Sequence, residues 1–163
     1  MIPRFIGNID FAPKDPGNPD LWQLEEPFAQ VTSDGHIIVC IPWKRTDGAS
    51  IPRFLWPLFG HPFDQSNPFW AVPHDQGYHD ECLVLDLATI EGVTPELLIS
   101  PMIAAGFFYE LFAHLHQPHK RIWFDRALAE GMVLQRERYV KRACVYAGVR
   151  TFGGGRAWEK YRA

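Results

Sequence analysis

Cysteine is scarce in this 163-residue chain and widely spaced along it. The three cysteines, Cys40, Cys82 and Cys144, lie far apart, are odd in number and form no C-x-x-C pair. Neither a disulfide framework nor a zinc knuckle is indicated, and each thiol reads as a small core hydrophobe. Long apolar runs are missing too. The longest, Met102 to Phe108, is far too short to span a bilayer, and the N-terminal MIPRFIGNIDFAP lacks the apolar stretch of a signal peptide. These absences lead to the expectation of synthesis and retention in a reducing cytoplasm, with no transmembrane segment. Surplus positive charge is also absent: the net charge of −3 argues against a nucleic-acid-binding surface. The locally basic run of Arg136, Arg138, Lys141, Arg142 and Arg150 reads as a solvated helix face. No internal repeat or low-complexity segment occurs.

What is present is apolar and aromatic. Hydrophobic residues make up 47% and charged residues 21%, which excludes disorder for the bulk of the chain. The length fits one domain over 1–163. Fourteen prolines and an aromatic content of 14% point to many irregular turns, not a pure helical bundle.

Residues 1–26 are rich in Pro, Gly, Asn and Asp and are expected to be irregular, with a short edge strand in Ile2–Ile9 and an exposed loop over Ala12–Asp20. Pro27 to Pro42 carries the clearest hairpin signal. PFAQVT and HIIVCIP are β-rich runs joined by Ser33-Asp34-Gly35, with Gly where positive φ is needed. The sheet is expected to come from the first third and to hold three or four strands. Thr46 to Ser50 reads as a tight polar loop, with Ser50 capping a short helix from Ile51-Pro52 that Pro57 and Gly60 close. After a linker, His61–Asn67, a helix is expected from Pro68 to about Leu83. Pro73 should kink it or delay its start to His74, and Gly77 weakens it. Asp86–Gly92 reads as loop, and Pro101–His116 as a central, almost wholly apolar helix. One long helix should follow over His119–Val149, where Gly131 would let a partner helix come close. The glycines at 153–155 end regular structure and leave a tail, 153–163, with Trp158 as its anchor. The fold class is α+β: a small antiparallel sheet packed against three or four helices.

The chemistry concentrates in AVPHDQGYHDE, Ala71 to Glu81. On a helix, His74 and Tyr78 share one stripe, and Asp75 and His79 the adjacent one. A histidine becomes a general base for water when a carboxylate holds its other ring nitrogen. Asp75 points about 100° away around the helix and cannot do this itself. The candidates are Asp125, in KRIWFDRALAEGM, and Glu130. Asp75 would then be left to bind a divalent cation, calcium being the candidate, with loop carbonyls from Asp47 to Ser50, so that Asp47, Gly48 and Ser50 line the site. A buried hydrogen-bonded network tying two helices together requires the same residues.

Three further arrangements carry less. His114, His116 and His119 form H-x-H-x-x-H, but the first pair diverges on a helix and the third lies beyond Pro118, so surface or structural histidines are the better reading. His61 with His74, Asp75 and Asp125 does not sit on the helical scaffold of an HD phosphohydrolase. Ser50 and Ser66 lack a G-x-S-x-G context.

Several of these motifs resemble a domain family of tailed bacteriophages and prophages that has no assigned function. They are TDGASIPRFLWPLFG (Thr46 to Gly60), HD-x-x-Y (His74, Asp75, Tyr78), D-x-x-L-x-x-x-M (Asp125, Leu128, Met132) and Y-x-x-V-R-x-F-G (Tyr146 to Gly153). The resemblance covers about two thirds of the chain. Cys82–His119 is longer than that family leads one to expect and would be an insertion. It implies synthesis in a host cytoplasm and a place in the virion, with phage structural proteins as partners. His74-Asp75-Gln76-Gly77-Tyr78 is also similar to the helix of bacterial phospholipase A2 proteins. There a histidine activates water, the next aspartate helps bind calcium, and a second helix returns an aspartate to the histidine. That similarity implies these roles for His74, Asp75 and Asp125, although this chain lacks the disulfides, the evident calcium loop and the export signal.

Two functions therefore stand as expectations. One is a phage-type hydrolase of ester or amide bonds in the host envelope, with His74 as base, Asp125 orienting it and Tyr78 hydrogen-bonding within the set. The other is a virion or tail-assembly component in which the same set is a structural network. In that case the aromatic surface of Trp43, Trp56, Phe59 and Trp70 meets a partner or a second copy of the chain.

Overall fold

The computed structural model describes residues 1–13, 22–46, 68–100 and 112–152. Seven strands are present among them: β1 (Arg4–Ile6), β2 (Phe11–Pro13), β3 (Trp22–Leu24), β4 (Phe28–Val31), β5 (His36–Cys40), β6 (Arg45–Thr46) and β7 (Cys82–Asp86). The helices are α1 (Pro68–His79), α2 (Arg121–Leu134) and α3 (Tyr139–Phe152), with a 3-10 turn at Leu97–Ile99. The architecture is α+β, as the sequence leads one to expect. The helix expected at 51–60, the 47–50 loop and the 153–163 tail lie outside the described residues, as does the greater part of the loop at Ala12–Asp20; of the helix expected over 101–116 only the end is described, and it stops at residue 113. None of the described helices is long and apolar enough to cross a membrane.

The central sheet is antiparallel, in the order β1-β4-β5-β7. The β4–β5 hairpin pairs Phe28 with Cys40 and Val31 with Ile37. Its turn is the expected one, with Gly35 at φ +92°. A second sheet, β2-β3-β6, takes β2 and β3 from the region expected to be irregular and β6 from the residues before the 47–50 loop. The central sheet is also not confined to the first third. Cys82–Asp86, where the end of a helix and the start of a loop are expected, is β7, paired along its whole length with β5. CLVLD is a short apolar run that periodicity alone assigns to neither state, and pairing with β5 decides it.

Both faces of this sheet are buried, so its strands carry continuous rather than alternating apolar residues. On one face Phe28, Ile38, Cys40 and Val84 meet Val72, Tyr78, Phe124 and Ala127 of α1 and α2. On the other, Val31, Ile37, Val39 and Leu85 are covered by Ile90, Leu98, Phe112 and Leu115.

Helix α1 starts at Pro68 and runs through Pro73 to His79, four residues short of the expected end, and its start is not delayed. It stops at Asp80, whose φ of +57° is a left-handed C-terminal cap. The Glu81 N–H reaches the Gln76 carbonyl at 2.9 Å and the Asp80 N–H the Gly77 carbonyl at 3.4 Å, closing the turn. The same device breaks the single long helix expected over 119–149. Arg136 (φ +57°) ends α2, its N–H and that of Glu137 reaching the Val133 and Met132 carbonyls at 2.9 Å each. The chain then folds back as α3. Both stops use a non-glycine residue, so no glycine marks them in the sequence.

Candidate functional site

Helices α1 and α2 approach so closely because two glycines face aromatic side chains. A Cβ at Gly77 would stand 2.2 Å from Phe124 ring carbons, and one at Gly131 would stand 2.8 Å from the Trp70 Cβ. Gly131 thus has the close-approach role expected of it. Gly77, read from sequence only as a helix weakness, permits the contact that brings the chemistry together. Trp70 is fully buried in this interface with Leu128, Met132, Val145 and Val149, so it is not part of an exposed aromatic surface. Trp43 is exposed, and Trp56 and Phe59 lie outside the described residues.

Between the two helices sits Asp125, with no solvent exposure at all. Its Oδ1 lies 3.1 Å from His74 Nε2 and accepts from the Tyr78 hydroxyl at 2.5 Å. Its Oδ2 accepts from Arg150 at 2.9 Å and lies 3.7 Å from Arg121 Nε. One carboxylate therefore joins α1, α2 and α3. Burial works to raise its pKa, but hydrogen bonds from His74, Tyr78 and Arg150 outweigh burial and hold it at about 2, against an ordinary 3.8. Burial and the bond to Asp125 push the Tyr78 hydroxyl far above its usual range, so Tyr78 remains a donor. An ionised Asp125 can only accept, which places a proton on His74 Nε2, so that in the neutral ring the lone pair is on Nδ1. Among the described residues Nδ1 has no hydrogen-bond partner. The His74 residue is 7% exposed, and its ring lies 4.2 Å from that of Tyr78, centroid to centroid.

The remaining candidates divide as follows. Glu130, the alternative partner for His74, instead accepts from the Ser33 backbone N–H at 3.1 Å, docking the hairpin turn onto α2. Asp75 faces His79, Oδ1 to Nε2 at 3.4 Å. The loop residues proposed beside it, Asp47, Gly48 and Ser50, lie outside the described residues, as do His61 and Ser66. Among the described residues no group of three or more His, Cys, Asp or Glu side chains could hold a metal ion. Calcium takes six or more oxygens, and of the set expected to hold it Asp75 is the one that lies among the described residues. The H-x-H-x-x-H cluster is dispersed: His114 is exposed, His116 Nδ1 accepts from the Val84 N–H at 3.0 Å, and His119 stacks on Trp123 at 4.0 Å.

Two participants escape sequence reasoning. Arg150 belongs to the basic run read as a solvated face, yet its guanidinium turns inward to Asp125. Arg121 stands one turn before Asp125 on α2, a spacing that signals an ion pair. Gln76, between the two halves of the His-Asp motif, clamps the end of β5. Its side chain accepts from the Ile41 N–H at 2.8 Å and donates to the Ile41 carbonyl at 3.1 Å.

Residues 22–149 match the model of a family described as a protein of unknown function, DUF1353. No curated protein and no solved structure matches the chain.

Proposed function

The chain belongs to that DUF1353 family, whose description names no reaction, and we propose from the site's geometry that it is a hydrolase with His74 as general base. The observation that carries this reading is the His74 ring itself, held through Nε2 by the buried Asp125 with Nδ1 left to accept a proton. In the reaction, Nδ1 takes a proton from water as the water oxygen attacks an ester or amide carbonyl. The ring becomes an imidazolium between that proton and the Asp125 carboxylate, and it then returns the proton to the leaving oxygen or nitrogen. Asp125 fixes the tautomer and compensates the positive charge, and Tyr78 and Arg150 hold Asp125 in place. The resemblance to phage domains and to the phospholipase A2 helix points to ester or amide bonds of a host envelope as substrate.

A specific observation favours a second reading. Asp125 is wholly buried, His74 and Tyr78 are each 7% exposed, and the set ties three helices together. In a virion or tail-assembly component this would be a structural latch.

One pair of measurements separates the two. Hydrolysis of phospholipid, peptidoglycan and small ester and amide substrates is followed for wild type and for His74→Ala, alongside thermal unfolding of both. The hydrolase reading expects a loss of about a hundredfold or more in rate, with the unfolding midpoint moved by only a few degrees. A wild-type chain inert on every substrate, with a variant that mainly melts earlier, would leave the latch.

A further inference from the structure

Two of the three cysteines, far apart in sequence, meet across one ladder. Cys40 closes β5, Cys82 opens β7, and the two are register partners. The free edge of β7 reveals which kind of partners they are. The Val84 N–H goes to His116 Nδ1 at 3.0 Å and its carbonyl accepts from the Gln117 N–H at 2.8 Å, so both groups point away from β5. Antiparallel partners alternate between pairs that exchange both backbone bonds and pairs that exchange none. Ile38 and Val84 are thus a pair without mutual bonds and so, two residues along, are Cys40 and Cys82. The Leu87 N–H to Gly35 carbonyl bond, at 3.1 Å, falls on the opposite parity and agrees. Pairs of this type hold their Cα atoms about 4.5 Å apart, inside the roughly 4.4–6.8 Å that a disulfide spans. Directly opposed residues also point to the same face. Here both thiols enter the core beneath α1, beside Tyr78 and Phe28, with Cys40 fully buried and Cys82 5% exposed.

We propose that Cys40 and Cys82 are a redox modification site that closes to an intramolecular cross-strand disulfide on meeting a disulfide oxidant such as oxidised glutathione. Cys82, the less buried thiol and the one next to the exposed turn at Asp80, loses its proton and attacks one sulfur of the oxidant. This expels one glutathione thiolate and leaves a mixed disulfide at Cys82. Cys40 then gives up its proton, attacks the Cys82 sulfur and expels the second glutathione. Two electrons and two protons leave the protein, and the oxidant becomes two thiols. Burial, with Cys82 and Asp75 nearby, keeps the proton on Cys40, so the first attack falls to Cys82 and the resolving attack by Cys40 is the slower step. The bond would close a loop that carries the whole of α1, His74 included, and would fasten β7 to β5. It does not depend on the hydrolase reading.

The test uses the full chain with Cys144→Ser, which removes the exposed third thiol. The reduced protein is incubated with oxidised glutathione, unfolded without reductant, treated with N-ethylmaleimide and weighed intact. The expected product is lighter than the reduced chain by two hydrogens, carries no maleimide, and takes up two after dithiothreitol. Peptide mapping should join the Cys40 and Cys82 peptides, and the unfolding midpoint should rise reversibly. In Cys40→Ala, Cys82 should be trapped as a lasting glutathione adduct. If that variant does not fold, the mass of the Cys144→Ser chain decides alone. Two maleimides on the oxidised chain, or an adduct on Cys82 that never resolves while Cys40 is present, would overturn the proposal.

Discussion

Gly77 lies flat against the ring of Phe124, so closely that a Cβ there would come within 2.2 Å of both Cδ1 and Cε1. In an open helix, Gly→Ala gains roughly 0.5–1 kcal/mol. Here the sign should reverse. Gly77→Ala is expected to destabilise the protein by about 2–3 kcal/mol, because Phe124 is itself enclosed at 2% exposure. Urea unfolding measures this, and Phe124→Leu in the same chain should recover part of the loss. A stabilised Gly77→Ala would mean that α1 and α2 are further apart than described.

Asp125 gives a prediction in pH. Its folded pKa of about 2 lies below the ordinary 3.8, so folding favours the ionised form. The resulting stability, about 2 kcal/mol, is complete above the ordinary value and is lost as pH falls from about 4 towards 2. Asp34, also held at about 2 by Thr32, Trp123 and His36 against the opposing effect of burial, acts in the same window. Denaturation curves across that range should flatten in part in Asp34→Asn. Asp125→Asn should be less stable at neutral pH, by roughly 1.5–3 kcal/mol, since it removes the charge that accepts from Tyr78 and Arg150.

Tyr78→Phe isolates one arm of the same network. It removes a single donor to a charged acceptor and leaves the ring in place, so a cost of roughly 1.5–3 kcal/mol is expected. Under the hydrolase reading, kcat should fall much less than in His74→Ala, because His74 keeps its own bond to Asp125. A Tyr78→Phe variant as inactive as His74→Ala would give the hydroxyl a role in the reaction itself.

A second pH effect belongs to His119. Burial is the main cause of its lowered pKa, and the facing His36 and neighbouring His116 act in the same direction, with Asp34 opposing. Folding therefore favours the neutral ring stacked on Trp123. Stability from this group should be complete above the ordinary histidine value of 6.5 and should decline as pH falls below it. Thermal midpoints between about pH 7 and 5 test this, and His119→Leu should remove part of the slope.

Much of the fold was legible because local signals and tertiary packing agree. The hairpin through Gly35, the close approach at Gly131 and the meeting of His74 with Asp125 all follow from residue type and spacing. What was not legible depends on distant partners. CLVLD becomes a strand only because β5 offers it an edge. The stops at Asp80 and Arg136 use left-handed residues that carry Cβ atoms, so the glycine signal is absent. Arg150 looks like one more solvated cation until the fold-back at Arg136 carries it to Asp125.

That fold-back sets an order of events during translation. Asp125 leaves the ribosome well before Arg150, and until the last helix docks, the nearest guanidinium is that of Arg121, at 3.7 Å in the finished structure. The sheet and the first two helices can come together earlier, but the enclosed carboxylate gains its stronger counterion only when nearly the whole described chain has been made. The nascent protein thus reaches its final interior late, from the C-terminal side.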